Sequence, residues 1–425
     1  MNLISVGDEK QMVMKASCIL RIFILGILTC SCRNMADDKP EHILTVQLTD
    51  PVSGVLAIRP HRNTAGVSDF RVYGQMTDLE PLKFLFESGT SGYNTFRIPA
   101  IIRTQKGTLL AFAEGRKNSS SDTGDIDLVI KCSEDNGKTW SELSVIWDDG
   151  VNVCGNPAPV VDRQSGNVFL LSTWNLGSDH ESEIISETSK DTRRVFVLIS
   201  TDDGRTWSDA REITASTKLS NWTWYATGPC HGIQINKGKY KDRLIIPCDH
   251  IESGTNKYFS HIIYSDDHGK TWKIGGTTQQ DQVNECSVAE LPGGRLMLNM
   301  RNYDRTQKTR KVSVSDDGGK TWSGIYSDPV LIEPICQGSL LSTEPDCKKL
   351  LFMNPADENS RKNMTLRLST DEGRNWTSKV IFPGPSAYSD IVILATGNIG
   401  CLMELGHIWP YQGIVYREVS IEKFN

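Results

Sequence analysis

The polar segment AEGRKNSSSDTGDIDL contains three carboxylates that could transfer a proton, Asp122, Asp125 and Asp127. The alternating pattern of DIDLVIK places Asp125 and Asp127 at the start of a strand, whereas Asp122 lies in the serine-rich loop before it. A carboxylate on a loop can protonate a departing oxygen and later activate a water molecule. Asp122 is therefore the candidate general acid and base.

The charge of the chain constrains how it could hold an anion. The formal net charge is −6, the isoelectric point is near 5.8, and no long run of like charges occurs. These values argue against a general affinity for nucleic acid. Any anionic ligand must be held by a local cluster of arginines, since guanidinium groups bind carboxylates through paired hydrogen bonds.

Five similar eight-residue segments indicate which secondary-structure elements position the candidate acid and the arginines. They share the pattern S-x-D-x-G-x-T/N-W, and their starts recur every 50 to 67 residues, at 133, 200, 265, 315 and 369. We call each of these segments a box. An apolar or alternating run of residues precedes each box, which is typical of a strand that enters a hairpin. In such a turn the Asp accepts backbone N–H bonds, Gly supplies a positive φ, and the Trp ring packs on the core. This interpretation makes five aspartates structural: Asp135, Asp202, Asp267, Asp317 and Asp371.

A strand-rich repeat of this length, with little helical periodicity between copies, predicts propeller blades. The predicted fold class is all-β, a six-bladed β-propeller over 84–425, with one blade lacking a box. Residues 33–83 form an N-terminal extension of uncertain fold. In the fifth box, Asn375 replaces the usual Thr, which is expected to weaken one hydroxyl contact.

The first 32 residues read as an export segment. MKASCILRIFILGILTCSC combines a basic start with a short apolar stretch that includes Arg21, and it is too short for a comfortable membrane span. Its ending resembles a lipoprotein signal, with Cys32 as the lipidated residue and Cys30 as the second choice; simple cleavage is the alternative. We expect an exported protein, either an outer-membrane or cell-surface lipoprotein or a periplasmic or secreted protein.

The motif FRIP at Phe96–Pro99, followed by the boxes, spaced arginines and a late tyrosine, resembles bacterial exo-sialidases (neuraminidases) over nearly the whole stretch from Phe84 to Asn425. The resemblance implies a retaining exo-α-sialidase that hydrolyses terminal sialic acid from glycoproteins, glycolipids and oligosaccharides. Sialidases with a tyrosine nucleophile are a recognised exception among glycosidases. No metal or other cofactor is implied.

The resemblance also assigns residues. Three arginines match the triad that binds the substrate carboxylate: Arg97, Arg301 and Arg361. Glu404 matches the glutamate that braces the first arginine, and Arg116 is expected to support the region of the carboxylate. Tyr388 matches the nucleophile and Glu285 its proton acceptor, since a phenol is repelled less than a carboxylate by the anionic sugar. Glu290 is a competing glutamate, but it falls at a strand end before PGG.

Several alternatives stay open on the sequence alone. The same residues would serve a trans-sialidase or an enzyme that forms an anhydro product, and a protein without catalysis could use the scaffold to bind glycans. A complete Arg–Asp–Glu–Tyr set favours an enzyme over a binding protein. Four aromatic residues either line the N-acetyl and glycerol pockets or pack between blades: Trp174, Trp222, Trp224 and Tyr225. The expected partners are sialylated glycoconjugates.

Overall fold

A computed structural model divides the chain into two compact units, Met1–Leu82 and Lys83–Asn425. Backbone and side chains are described for residues 81–343 and 345–424, except for the side chain of Lys423. In the first unit the structure describes only the backbone of seven strands, which form three small antiparallel sheets (β1–β2, β3–β4–β5 and β6–β7): β1 (Ile4–Val6), β2 (Glu9–Gln11), β3 (Ser17–Phe23), β4 (Ile27–Arg33), β5 (Pro40–Gln47), β6 (Ala57–Arg62) and β7 (Ser68–Tyr73). The predicted lipidation site Cys32 lies outside the residues described with side chains and stays a prediction.

The second unit is built almost entirely of strands. Its strands are β8 (Phe84–Glu87), β9 (Thr95–Arg103), β10 (Leu109–Arg116), β11 (Ile126–Ser133), β12 (Ser144–Trp147), β13 (Val153–Val161), β14 (Val168–Asn175), β15 (Arg194–Ser200), β16 (Arg211–Glu212), β17 (Trp222–Thr227), β18 (Ile233–Gln234), β19 (Leu244–Glu252), β20 (Lys257–Ser265), β21 (Lys273–Thr277), β22 (Val283–Leu291), β23 (Arg295–Asn302), β24 (Thr309–Ser315), β25 (Tyr326–Ile332), β26 (Ser339–Ser342), β27 (Leu350–Pro355), β28 (Lys362–Ser369), β29 (Thr377–Ile393), β30 (Ile399–Leu405) and β31 (Gly413–Val419). The helices are α1 (Glu181–Ile185) and α2 (Thr214–Thr217), with 3-10 turns at Pro292–Gly294 and Ile421–Phe424.

The strand order divides this unit into six consecutive antiparallel groups. They are β9–β12, β13–β16, β17–β21, β22–β25, β26 to the first half of β29, and the second half of β29 with β30, β31 and β8. Contacts between successive groups form a cycle: β9 contacts β13, β13 contacts β17, β19 contacts β22, β22 contacts β26, β26 contacts β29, and β29 returns to β9. The last group takes its outer strand, β8, from the start of the unit and so closes the ring. The predicted all-β propeller is confirmed, and this grouping agrees with six blades.

The boxes form the hairpin turns between the last two strands of five groups, as predicted. In every box the residue before the Trp donates its backbone N–H to the Asp at 2.8–2.9 Å and its side-chain hydrogen at 2.6–2.7 Å. The donor in the fifth box is the Asn375 amide, at 2.6 Å from Asp371. The predicted weakening is not seen in the distance, because an amide N–H replaces the hydroxyl at the same separation from the aspartate.

The box tryptophans pack on the cores between strand groups. Trp272 and Trp322 are 1% and 3% exposed, and the other three are half-buried against their clusters. Each core lies between neighbouring sheets, so the rings close the outer edge of these layers. The structural interpretation of the five box aspartates is confirmed by these contacts.

Within the described residues, no disulfide bond joins any two of the eight cysteines, and no group of three or more His, Cys, Asp or Glu side chains is placed to hold a metal ion. No helix in that part of the chain is long and apolar enough to cross a membrane.

Candidate active site

A cavity of about 320 Å³ lies where the inner strands of the ring end. Seven of the eight residues assigned from the sequence line it, and the eighth, Glu404, lies directly behind Arg97. The lining residues assigned in advance are Arg97, Arg116, Asp122, Glu285, Arg301, Arg361 and Tyr388. A second cavity of about 490 Å³ contains none of these eight. Residues separated by up to 307 positions in the chain thus meet at one place.

Irregularities in the inner strands direct several of these side chains inward. The strand register shifts beside Arg97 in β9, beside Glu285 in β22 and beside Tyr388 in β29. A β-bulge turns a side chain away from the alternation of a regular strand. At the first of these, Ile98 adopts φ 56°, which is strained for a β-branched residue. Its N–H donates to Glu404 Oε1 at 2.9 Å, which holds the bulge in place.

Glu404 braces the first arginine, as the resemblance implied. Arg97 Nε donates to Glu404 Oε1 at 3.1 Å, and the other carboxylate oxygen accepts the Tyr388 backbone N–H at 2.9 Å. Burial opposes the charge of Arg97, but Glu404 keeps its pKa above the usual range. One buried carboxylate therefore fixes an arginine and the backbone of the candidate nucleophile together.

Tyr388, Glu285 and Arg301 form a hydrogen-bonded set. The Tyr388 hydroxyl donates to Glu285 Oε1 at 2.5 Å, and Arg301 Nη1 donates to Glu285 Oε2 at 2.5 Å and to the Tyr388 oxygen at 2.9 Å. Burial and the Glu285 carboxylate raise the pKa of Tyr388 well above its usual value, while the nearby arginines oppose this. The phenol thus has both a proton acceptor and a cation that would stabilise its developing negative charge. Glu290 instead accepts the N–H groups of Asn236 and Lys237 and lies away from this cavity, as expected.

Asp122 lies on the loop between β10 and β11, and its side chain is 61% exposed. Arg116 Nη2 lies 2.7 Å from its carboxylate and Arg97 Nη1 lies 3.7 Å away. Desolvation in the cavity raises its pKa, but the two guanidinium groups outweigh this and lower it below the ordinary value. Arg116 is in turn fixed by Glu114, at 2.6 Å, and by the Ser120 carbonyl. It therefore anchors the loop that carries the candidate acid.

Arg361, in the turn between β27 and β28, completes the arginine cluster. Its Nη1 donates to the Tyr411 hydroxyl at 2.7 Å, its Nη2 donates to the Ile335 carbonyl at 3.2 Å, and its guanidinium lies 5.6 Å from the centre of the Tyr388 ring. The three arginines come from three different strand groups. Their convergence around Tyr388 is what a carboxylate receptor requires.

Two buried charged residues, Arg193 and Asp249, line another part of the cavity wall, and no sequence pattern indicated them. Arg193 is 3% exposed, stacks at 4.0 Å over Trp224, and donates to Asn156, Asn175 and Thr173. Asp249 is 1% exposed, and neither of its carboxylate oxygens has a hydrogen-bond partner among the described residues. Burial, with Glu285 nearby, raises the pKa of Asp249 well above its usual value. Neither residue lies in a motif, and the doublet RR before a strand is too common a pattern to indicate a site.

The four aromatic candidates separate into two classes. Only Trp224 lines the cavity. Trp222 stacks on His250 at 3.6 Å in the core, and Tyr225 is fully buried beside it. Trp174 borders a different groove of about 590 Å³, with Trp147 and Phe196. Packing is thus the role of three of the four.

Comparison with known proteins gives consistent matches. A family model described as a BNR repeat-like domain matches residues 107–401. The chain is 33% identical over 349 residues to a sialidase of Micromonospora viridifaciens, covering 79% of this chain and 53% of that protein. It is 31% identical over 363 residues to an exo-alpha-sialidase of Aspergillus fumigatus, covering 79% and 84%.

A solved structure, the Hadza microbial sialidase Hz136, superimposes with a TM-score of 0.72 at 26% identity, covering 84% of this chain and 77% of that one. The chain spans about half the length of the Micromonospora relative, 53%, and most of the Aspergillus one. The residues matched by the family model include Asp122, Glu285 and Tyr388 of the cavity.

Proposed function

The chain belongs to the sialidase family, and on that premise we propose that it is a retaining exo-α-sialidase that hydrolyses terminal sialic acid through a covalent tyrosyl intermediate. The observation that carries the proposal is the Tyr388–Glu285–Arg301 set inside a cavity shared with two further arginines and Asp122. A glycan-binding protein has no use for a buried phenol paired with a carboxylate. The named substrates, terminal sialic acids on glycoproteins, glycolipids and oligosaccharides, belong to the proposal.

Substrate binding begins with the sugar carboxylate. Arg97, Arg301 and Arg361 surround the Tyr388 ring, at 4.9 Å and 5.6 Å for the first and last guanidinium groups. Bidentate hydrogen bonds from this cluster would hold the carboxylate and place the anomeric carbon next to the phenol oxygen. The anionic substrate would be attacked by a neutral phenol, which avoids the repulsion that a carboxylate nucleophile would meet.

In the first step the Tyr388 oxygen bonds to the anomeric carbon as the glycosidic bond breaks. The phenol proton passes to Glu285, which already accepts it at 2.5 Å, and Asp122 protonates the departing sugar oxygen. In the second step Asp122 takes a proton from water, water oxygen bonds to the anomeric carbon, and the Tyr388 oxygen leaves and recovers its proton from Glu285. Two inversions leave the configuration retained.

The charge around Asp122 would change as the substrate binds. Arg116 and Arg97 keep the pKa of its carboxyl low. A substrate carboxylate bound to Arg97 would neutralise part of that positive field and so raise the pKa of Asp122. Binding would thereby prepare the acid for proton transfer, while Arg116 keeps its loop in place.

Transfer to an acceptor or closure to an anhydro sugar is the alternative outcome of the same intermediate. To decide, the mature chain is incubated with an aryl sialoside and with sialyllactose, the anomer of the first product is followed by proton NMR, and product masses are recorded. Release of the α-anomer of free sialic acid supports the proposal. A β-anomer as first product, or a mass that is one water lower, contradicts it, and binding without any cleavage favours the glycan-binding alternative.

We also propose that the protein is exported and anchored through a lipid on Cys32. This rests on the short apolar leader before Ser31-Cys32. Membrane and soluble fractions of cells that express Cys32→Ala and Cys30→Ala test it. We expect only the Cys32→Ala variant to move from the membrane fraction to the soluble fraction. If a variant with both substitutions stays in the membrane fraction, a lipid on either residue is not the anchor.

A further inference from the structure

The three arginines of the cluster are held in different ways. Arg97 and Arg301 each lie within 3.1 Å of a carboxylate, Glu404 and Glu285 respectively. Among the described residues no carboxylate lies within ion-pair distance of Arg361. Its hydrogen bonds go to two neutral oxygens, of the Tyr411 hydroxyl and of the Ile335 carbonyl. Arg361 thus keeps more of its charge available for a ligand than the other two.

Tyr411 contacts two of the arginines at once. Its hydroxyl accepts from Arg361 Nη1 at 2.7 Å, and its ring lies 4.2 Å from the Arg97 guanidinium, within the range of a cation–π contact. The side chain lines the cavity next to both. No sequence motif pointed to it, since Tyr411 lies in the irregular segment GHIWPYQG.

The backbone of Tyr411 is itself held firmly. Ser88 Oγ donates to the Tyr411 carbonyl at 2.9 Å, and the Ser88 N–H donates to the Gln412 carbonyl at 3.1 Å. The Gln412 side-chain oxygen accepts two N–H groups of the same turn, from His407 and Ile408. The ring is thus a preformed contact for the arginines and not a loose surface side chain.

We propose that Tyr411 is a positioning residue of the carboxylate receptor. It orients Arg361 through its hydroxyl and Arg97 through its ring, and, being neutral, it does so without cancelling the charge of Arg361. A carboxylate in its place would hold Arg361 equally well but would compete with the substrate for it. The inference rests on the proposed sialidase activity, because the ligand it serves is the carboxylate of the sugar.

The test is a double-substitution cycle measured on an aryl sialoside. Tyr411→Phe removes the hydroxyl contact with Arg361 and keeps the ring, so we expect KM to rise about tenfold with kcat within about twofold. In the Arg361→Lys background the same change should alter KM by less than about twofold, because the lysine cannot repeat the guanidinium geometry. Tyr411→Leu removes the ring as well and should raise KM further through Arg97.

Tyr416→Phe is the matched control. Tyr416 lies on β31, outside the cavity, and its hydroxyl donates to the Asn136 carbonyl at 3.2 Å, so its loss should leave KM unchanged. Thermal melting of each variant distinguishes a loss of folding from a displaced arginine side chain. If Tyr411→Phe does not fold, KM is compared between Tyr411→Leu and the wild type instead. An unchanged KM in both Tyr411 variants, or the same tenfold rise in the Arg361→Lys background, overturns the inference. A wild-type chain that neither cleaves nor binds sialosides overturns the proposed function and, with it, this inference.

Discussion

The outer turns and the central cavity use similar residues in opposite ways. In the turns each box Asp is surrounded by donors from its own segment, at most four positions away, as in the bonds from Thr139 to Asp135. In the cavity the partners come from distant strands: Tyr388 and Glu285 are 103 positions apart, and Arg97 and Glu404 are 307 apart. The hydrogen bonds of a box aspartate can form as soon as its turn forms. The hydrogen bonds of the cavity can form only when the ring of strand groups has closed.

The two regions also differ in how completely their polar groups are satisfied. Each box Asp has its donors in place, and these donors come from within its own box. In the cavity, both oxygens of Asp249 lack a hydrogen bond from any described residue, and Ile98 is held at a strained positive φ. Unsatisfied groups and strained backbone are tolerated where a ligand supplies part of the interaction. The comparison predicts that turn substitutions alter stability and cavity substitutions alter catalysis.

The largest expected effect is on catalysis, from Tyr388→Phe. Removal of the phenol oxygen takes away the proposed nucleophile, so kcat should fall by at least about 10³-fold on aryl and natural sialosides alike. The melting temperature should change little, because the ring and its packing stay. Steady-state kinetics and calorimetry on the same preparation measure both quantities.

Tyr93→Phe is the control for this change. Tyr93 also donates to a buried carboxylate, Asp127, at 2.6 Å, but it lies outside the cavity. It should lower stability and leave kcat nearly unchanged. Full activity in Tyr388→Phe, or an equal loss of kcat in Tyr93→Phe, would contradict the assignment of Tyr388 as the nucleophile. It would also contradict the expectation that only cavity substitutions alter catalysis.

The next effect is on stability, from Trp272→Ala in the third box. Trp272 is 1% exposed and packs on Phe169 with ring centres 6.2 Å apart. Its loss should lower the free energy of unfolding by about 3–5 kcal/mol, as for other buried tryptophans. Denaturant titration measures this, and kcat per folded molecule should match the wild type.

Trp207→Ala, at a box Trp that is only half-buried, should have a smaller effect on the same titration. A larger loss at Trp207 than at Trp272 would contradict the packing argument. A change of kcat in either variant would show that the turns influence the cavity, against the comparison drawn above.

Local patterns made the fold and most of the cavity predictable. The five boxes mark hairpins because the donors to each box aspartate come from within its own box, and FRIP with the later arginines and tyrosine marked the site through resemblance. Three cavity residues were not predicted from the sequence: Tyr411, Arg193 and Asp249. Their contacts form only after the strands assemble, so no local pattern indicates them. The register shifts beside Arg97, Glu285 and Tyr388 also depend on neighbouring strands, and alternation of residue types does not encode them.

A third effect separates two kinds of substrate. Asp122→Ala should lower kcat/KM on sialyllactose by about 10²–10⁴-fold, the usual contribution of a general acid. An aryl leaving group departs with little protonation, so on that substrate the loss in the first step should be below about tenfold. Asp125→Ala, in the same loop but held by Lys117 at 3.0 Å, should affect the two substrates equally. Equal losses for Asp122→Ala on both substrates would contradict its role as the acid.

The smallest expected effect is the acid dependence of the turns. Hydrogen bonds from Thr139, Thr206 and Asn375 lower the pKa of their box aspartates, Asp135, Asp202 and Asp371, to about 2, against about 3.9 in an unfolded chain. As pH falls, the unfolded chain therefore binds protons first, so the stabilisation is complete above about pH 4 and is lost towards pH 2. Asp202→Asn should melt below the wild type at pH 5, and the gap should close by pH 2. A gap for Asp202→Asn that stays constant from pH 5 to pH 2 would mean that its carboxylate adds no more to the turn than an amide does.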